Sequence, residues 1–189
     1  MIDLNDESIA GEGNAVKIFN GGNASANVEN CELVRIEKAD KYDALDFFFA
    51  DSSGGEIKLR EWFVDYERDG YEKKELSQAK RIKHILTKFL PEGTQLPQAQ
   101  NSEDLLKKAT AALGNTFAGV KLRMKVTFKE SGYLQIPPYV PFLESMAVPA
   151  NESKLYMGNI DITEKPEASS PASIETAGAA SGAGAVSWP

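Results

Sequence analysis

Cysteine and histidine each occur once in this chain, as Cys31 and His84. A single cysteine excludes an intramolecular disulfide framework and leaves no cysteine cluster for zinc. Cys31 opens a strand-like run and reads as a small buried residue. His84, between Lys83 and Ile85 on an expected helix, has no nucleophile or metal ligand near it in sequence, and reads as a solvated or half-buried helix residue. No apolar run is long enough to cross a bilayer. The acidic start Met1-Ile2-Asp3-Leu4-Asn5-Asp6-Glu7 is unlike a signal peptide, so the expectation is a cytoplasmic protein without membrane contact. A glycine-rich loop ending in Gly-Lys-Ser/Thr is also missing, and the Gly-Gly pairs at 21–22 and 54–55 do not replace it. The carboxylates never recur in a metal-binding pattern. The expectation is therefore a non-enzymatic protein with no catalytic residue, no metal and no cofactor.

What is present is a soluble-globular composition, 42% hydrophobic and 26% charged over 189 residues, enough for one substantial domain with a tail. The net charge of −7 is unevenly spread. Residues 1–57 hold 4 Lys+Arg against 12 Asp+Glu, residues 58–129 hold 15 against 9, and residues 130–189 hold 2 against 7. A basic middle third lies between acidic ends. Because screening limits electrostatic reach to roughly 8–10 Å at physiological salt, local charge decides what a surface attracts.

The chain is organised around Phe47-Phe48-Phe49-Ala50-Asp51-Ser52-Ser53-Gly54-Gly55-Glu56-Ile57-Lys58-Leu59-Arg60-Glu61-Trp62-Phe63. Two strand-forming runs flank a Ser-Ser-Gly-Gly turn, a hairpin signal. In the second run Ile57, Leu59 and Phe63 point one way, while Lys58, Arg60 and Trp62 point the other. Upstream, residues 1–15 read as a flexible acidic arm. Val16–Phe19 could form a short strand, broken by Asn20-Gly21-Gly22-Asn23, and a further strand is expected over Asn30–Lys38 with Val34 and Ile36 on one face. Downstream, residues 65–76 read as an exposed loop into a helix capped by Ser77, with Ile82, Ile85, Leu86 and Phe89 on its buried stripe. A second helix is capped by Asn101 or Ser102 and stopped by Gly114, with Leu105, Leu106, Ala109, Ala112 and Leu113 on its apolar face.

Gly119–Lys129 is the clearest strand. Val120, Leu122, Met124, Val126 and Phe128 share one face; Lys121, Arg123, Lys125 and Lys129 share the other. A turn at Glu130-Ser131-Gly132 leads to a closing strand, Tyr133–Ile136, stopped by Pro137-Pro138. Tyr139–Leu143 is extended and apolar. From about Thr163 the composition collapses to Ala, Gly, Ser, Pro and Glu and reads as a disordered tail, with Trp188 as a candidate docking tip.

Two strands with an apolar face opposite a cationic one predict a basic surface if they share one curved sheet. Lys58, Arg60, Lys121, Arg123 and Lys125 would neutralise phosphates, and Trp62, Phe48 and Tyr133 would stack bases. The alternative is that these cations merely solubilise the sheet and discourage edge pairing. The order of elements, together with Lys17-Ile18-Phe19-Asn20-Gly21-Gly22, Val28-Glu29-Asn30 and Phe47–Ile57, resembles the single-stranded DNA-binding proteins of tailed bacteriophages over roughly residues 16–145. That resemblance implies a mainly β (α+β) chain: an OB-like five-stranded antiparallel barrel with two inserted helices over residues 16–162, and a disordered tail over 163–189. It also implies sequence-independent binding of single-stranded DNA in replication or recombination, in the host cytoplasm. The tail would recruit partner proteins, although it lacks the usual dense acidic run, and exposed barrel edges would allow a homo-oligomer. DNA and RNA are not distinguished by these residues. The rival expectation is a virion assembly protein without affinity for nucleic acid.

Overall fold

The computed structural model describes residues 17–167. The expected arm over residues 1–15, and the tail from residue 168 onward with Trp188, lie outside the described residues. In chain order the elements are β1 (Ser25–Lys38), β2 (Ala44–Ala50), β3 (Glu56–Trp62), α1 (Tyr71–Phe89), α2 (Ser102–Leu113), β4 (Lys121–Phe128), β5 (Leu134–Gln135) and β6 (Leu143–Ser145). The ladders between these strands are antiparallel, and the strand order is β3-β2-β1-β4-β5, with β6 also on β4. The chain is mainly β with two helices between its third and fourth strands, as expected. β3 and β5 approach each other, yet no ladder joins them among the described residues, so the sheet is not closed. No described helix is long and apolar enough to cross a membrane.

β1 begins five residues before the expected strand. Its first part pairs with β4 and its second with β2. Register breaks and the positive φ of Asn30 (58°) bend it between the two partners. Ser25–Glu29 has little strand propensity of its own, and the distant β4 supplies the pairing that makes it a strand. Val34 falls at the break between Leu33↔Phe49 and Arg35↔Phe48 and is exposed rather than sharing a face with Ile36 as an inward residue. Of the expected strand at 16–19, Ile18 makes a single bridge to Glu56, and Phe19–Gly22 is a 3-10 turn.

Asp51 ties that turn to the β2–β3 hairpin. Its carboxylate accepts the backbone N–H groups of Ser53 and Gly55 at 2.8 and 2.9 Å and of Asn20 at 2.6 Å. Burial pushes the carboxyl up, but these bonds and the Ser53 hydroxyl outweigh it and hold it below the usual range. Gly55 is needed for closeness: a Cβ there would lie 2.6–2.8 Å from backbone atoms of Ile18 and Phe19.

α1 starts seven residues earlier than expected, after Gly70 (φ 78°), so Ser77 lies inside the helix and not at its cap. The density of charge in Glu72-Lys73-Lys74-Glu75 suggested a loop, yet these are good helix formers. Asn101 caps α2, its side chain accepting the Asp104 N–H. Ile82, Ile85, Leu86 and Phe89 of α1 join Leu106, Ala109 and Leu113 of α2 in one core with Phe47, Phe49, Leu59, Leu122, Met124 and Val126 of the sheet. Cys31 is buried in that core; burial first, then the Asp51 charge, pushes its thiol up to about 12. Phe142 and Leu143, in the segment expected to be extended and apolar, are core residues too.

His84 is half-buried against Phe142, with ring centroids 4.9 Å apart, and its Nε2 accepts the N–H groups of Phe142 and Leu143 at 3.2 and 3.0 Å. A nitrogen accepting hydrogen bonds carries no proton, so the imidazole is neutral. Burial, then the Lys88 charge, outweighs the opposing bond from Leu143 and lowers its pKa to about 4. The folded protein therefore resists a proton that the unfolded chain takes up near pH 6.5. His84 contributes its full stability above pH 6.5, and that contribution falls as pH drops toward 4, by up to about 3 kcal/mol. Chemical denaturation between pH 7 and 4.5 is expected to show this decline in the wild-type chain and a shallower one in His84→Gln; parallel curves would contradict it.

Candidate nucleic-acid interface

The outer face of the sheet is built in cross-strand rows. β2 and β3 pair Phe48 with Lys58, Asp46 with Arg60 and Ala44 with Trp62, and β1 sets Arg35 beside Phe48 and Glu37 beside Asp46. The alternation expected for β3 holds: Ile57 and Leu59 are buried, Lys58 and Trp62 are exposed, and Arg60 is half-buried on the outer side. Phe63, beyond the strand, packs partly against the core.

Arg60 is the centre of this surface. Its Nε and Nη2 donate to the two oxygens of Asp46 at 2.7 and 2.6 Å, and Lys58 Nζ reaches the same carboxylate at 3.4 Å. The bidentate bond from Arg60 holds the Asp46 carboxyl below its usual range and raises the guanidinium. With the fork fixed, the guanidinium lies 4.8 Å from the Tyr42 ring centroid and 5.3 Å from that of Trp62. Tyr42 and Trp62 themselves meet edge to face at 5.3 Å. Trp62 remains 52% exposed and Tyr42 51%, leaving aromatic surface open to a ligand.

Three adjacent depressions share Arg60. One runs toward Lys38, Lys41 and Tyr42 in the β1–β2 loop. A second runs toward Lys129, Gln135 and Pro138. The third runs beneath α1 toward Arg68, Lys74 and Arg81. Together they are lined by eight cations (Lys38, Lys41, Lys58, Arg60, Arg68, Lys74, Arg81 and Lys129) against five carboxylates, Glu37, Asp40, Asp46, Glu61 and Asp65. Two of those carboxylates are occupied within the wall: Asp46 by Arg60, and Glu61 by a bidentate Arg81 at 2.6 Å for both bonds. A trough of net positive charge thus crosses a chain whose formal charge is −7.

The expected site residues are not all brought together. Lys58, Arg60, Trp62 and Phe48 share the outer face of β2 and β3. Tyr133, 75% exposed in the β4–β5 loop, stands where its carbonyl accepts the N–H of trough-lining Lys129. Phe48 is half-buried beneath Arg35, whose guanidinium lies 3.8 Å from the ring centroid, so a cation already occupies a face expected to receive a base. Lys121 is exposed at the start of β4, opposite Glu32, away from the trough lining.

Arg123 and Lys125 correct the expectation of an outward basic face on β4. They are 3% and 4% exposed. Arg123 pairs with Glu144 at 2.7 Å and Glu29 at 3.2 Å; Lys125 pairs with Asp161 at 2.6 Å and donates to the Tyr139 hydroxyl. β6 and the segment through Asp161 cover the side that alternation alone leaves to solvent. Tyr42, Arg81, Lys38 and Lys41 were not among the expected site residues. The signal available for Tyr42 was its position in the turn before the hairpin; Arg81 and the lysines became site residues only through tertiary placement. Among the described residues, no three His, Cys, Asp or Glu side chains gather as a metal site. No protein-family model, curated protein or solved structure matches this chain.

Proposed function

We propose that this chain binds single-stranded DNA without sequence preference, through the outer face of β2 and β3, and performs no catalysis. The observation that supports this reading is the convergence of Lys58, Arg60, Trp62 and Tyr42 in one trough, beside solvent-accessible rings. Cations that track phosphates and rings that stack on any base are the two components of sequence-tolerant single-strand binding. Further support comes from topology. A long bent first strand, a three-strand meander, helices before the fourth strand, and β5 turned toward β3 support reading the domain as an OB-like barrel left open at one seam. Barrels of that kind bind oligonucleotides on strands 2 and 3 between the β1–β2 and β4–β5 loops. Here those loops hold Lys41 with Tyr42, and Lys129 with Tyr133. A role in phage replication or recombination, and recruitment of partners through the tail around Trp188, belong to the same proposal and rest on the family resemblance.

The test is titration with single-stranded oligonucleotides of unlike sequence and with a duplex of equal length. All single strands are expected to bind within a few-fold of one another, and the duplex more weakly. Absence of single-strand binding at low salt would sink the proposal and favour the assembly-protein reading.

A further inference from the structure

Beyond the trough, a cleft runs between α1 and the segment after Pro138. It is lined by Lys73, Leu76 and Lys80 on the helix side and by Pro138, Tyr139 and Val140 on the other, and it shares Arg81 and Pro138 with the trough. The shared boundary is a fixed saddle. Arg81 Nη1 donates to the Pro138 carbonyl at 3.0 Å and to the Ser77 hydroxyl at 2.9 Å, while Nε and Nη2 hold Glu61. Lys73 and Lys80 are seven residues apart on α1, two helical turns, so they flank the same face roughly 10 Å apart. Both are exposed, and neither takes part in an ion pair among the described residues. Between them Leu76 is 56% exposed, and Val140 across the cleft is 37% exposed. Two unpaired cations on either side of an apolar floor, continuous with a basic trough, match a chain of phosphates with unstacked bases.

Building on the trough reading, we propose that a bound single strand leaves the trough over the Arg81–Pro138 saddle and continues along this cleft. Lys73 and Lys80 contact its phosphates there, and Leu76 and Val140 contact its bases. The occluded strand is then longer than β2 and β3 alone would cover. An oligothymidylate of about five nucleotides fills the trough, whereas one of about fifteen reaches the cleft.

The test compares those two lengths on the full chain. For Lys73→Gln/Lys80→Gln, affinity for the longer oligonucleotide is expected to fall about tenfold and the salt slope to lessen by about 1.4, two phosphates at roughly 0.7 each. Affinity for the shorter one stays within about twofold. Lys107→Gln/Lys108→Gln removes equal charge from the far helix and is expected to change neither. Unchanged binding of the longer strand by the Lys73/Lys80 variant overturns the cleft and leaves the trough standing. Equal losses at both lengths, or the same loss from the Lys107/Lys108 variant, also overturn the cleft by showing a general charge effect. Failure of the wild-type chain to bind either length overturns trough and cleft together.

Discussion

Trp62→Ala is expected to weaken binding of single-stranded oligonucleotides roughly tenfold to a hundredfold while leaving the fold intact. Base stacking on an aromatic side chain is worth about 1–3 kcal/mol by alanine substitution, and each 1.4 kcal/mol is tenfold in affinity. Trp62 is half exposed and ends β3 on the outer face, so its removal uncovers little core. The neighbouring geometry sharpens the expectation. Arg60 is held by Asp46 and flanked by Tyr42 and Trp62, so deleting the indole removes one wall of the guanidinium's setting as well as a stacking surface. Trp62→Phe keeps a π-face and is expected to retain most of the affinity. The check is equilibrium titration of each variant alongside its thermal melt. A Trp62→Ala chain that binds like wild type would remove Trp62 from the site.

Arg123→Met is expected to do the opposite: a large loss of stability with little effect on binding. Arg123 lies 3% exposed against Glu144, whose side chain is 8% exposed. Burial pushes the Glu144 carboxyl up, but the Lys154 N–H, the Ser153 hydroxyl and the Arg123 guanidinium together outweigh it and hold it below its usual range. Removing one partner of such a pair leaves a buried charge uncompensated and costs about 3–5 kcal/mol. In a chain of this size that corresponds to a fall in melting temperature on the order of 10 °C. Replacing both partners, Arg123→Met with Glu144→Leu, is expected to recover much of the loss, because the cost lies in the orphaned charge. Below its melting temperature the single variant is expected to bind oligonucleotide within about twofold of wild type. A stable variant that has lost binding would return Arg123 to the interface.

The contrast between these residues shows what the sequence reveals and what it hides. The alternation of Ile57 and Leu59 with Lys58, Arg60 and Trp62 was legible because that part of β3 has one face on the core and the other facing solvent. The same alternation in β4 was misleading. Its cations look solvent-facing, but their carboxylate partners come from 21 residues away for Glu144 and 94 for Glu29, beyond any periodicity. The apolar stripe of α1 was likewise legible, while its first turns were hidden by charge. The bend in β1 depends on pairing with the distant β4 as well as with the neighbouring β2, and has no local signature beyond Asn30. Tyr42 had only its place in the turn before the hairpin to point to the setting of Arg60, and Arg81, which reaches Glu61 from α1 through chain folding, had no local sequence signal.

The measurement that bears most directly on the account is the salt dependence of oligothymidylate binding, followed by tryptophan emission in a Trp188→Phe background so that Trp62 alone reports. Emission is expected to be quenched on binding, and the logarithm of the association constant to fall linearly with the logarithm of salt concentration. A slope between about −2 and −4 corresponds to roughly three to six neutralised phosphates. Unquenched emission, or an affinity indifferent to salt, would contradict a trough in which Lys58, Arg60 and their neighbours meet a phosphate chain beside Trp62.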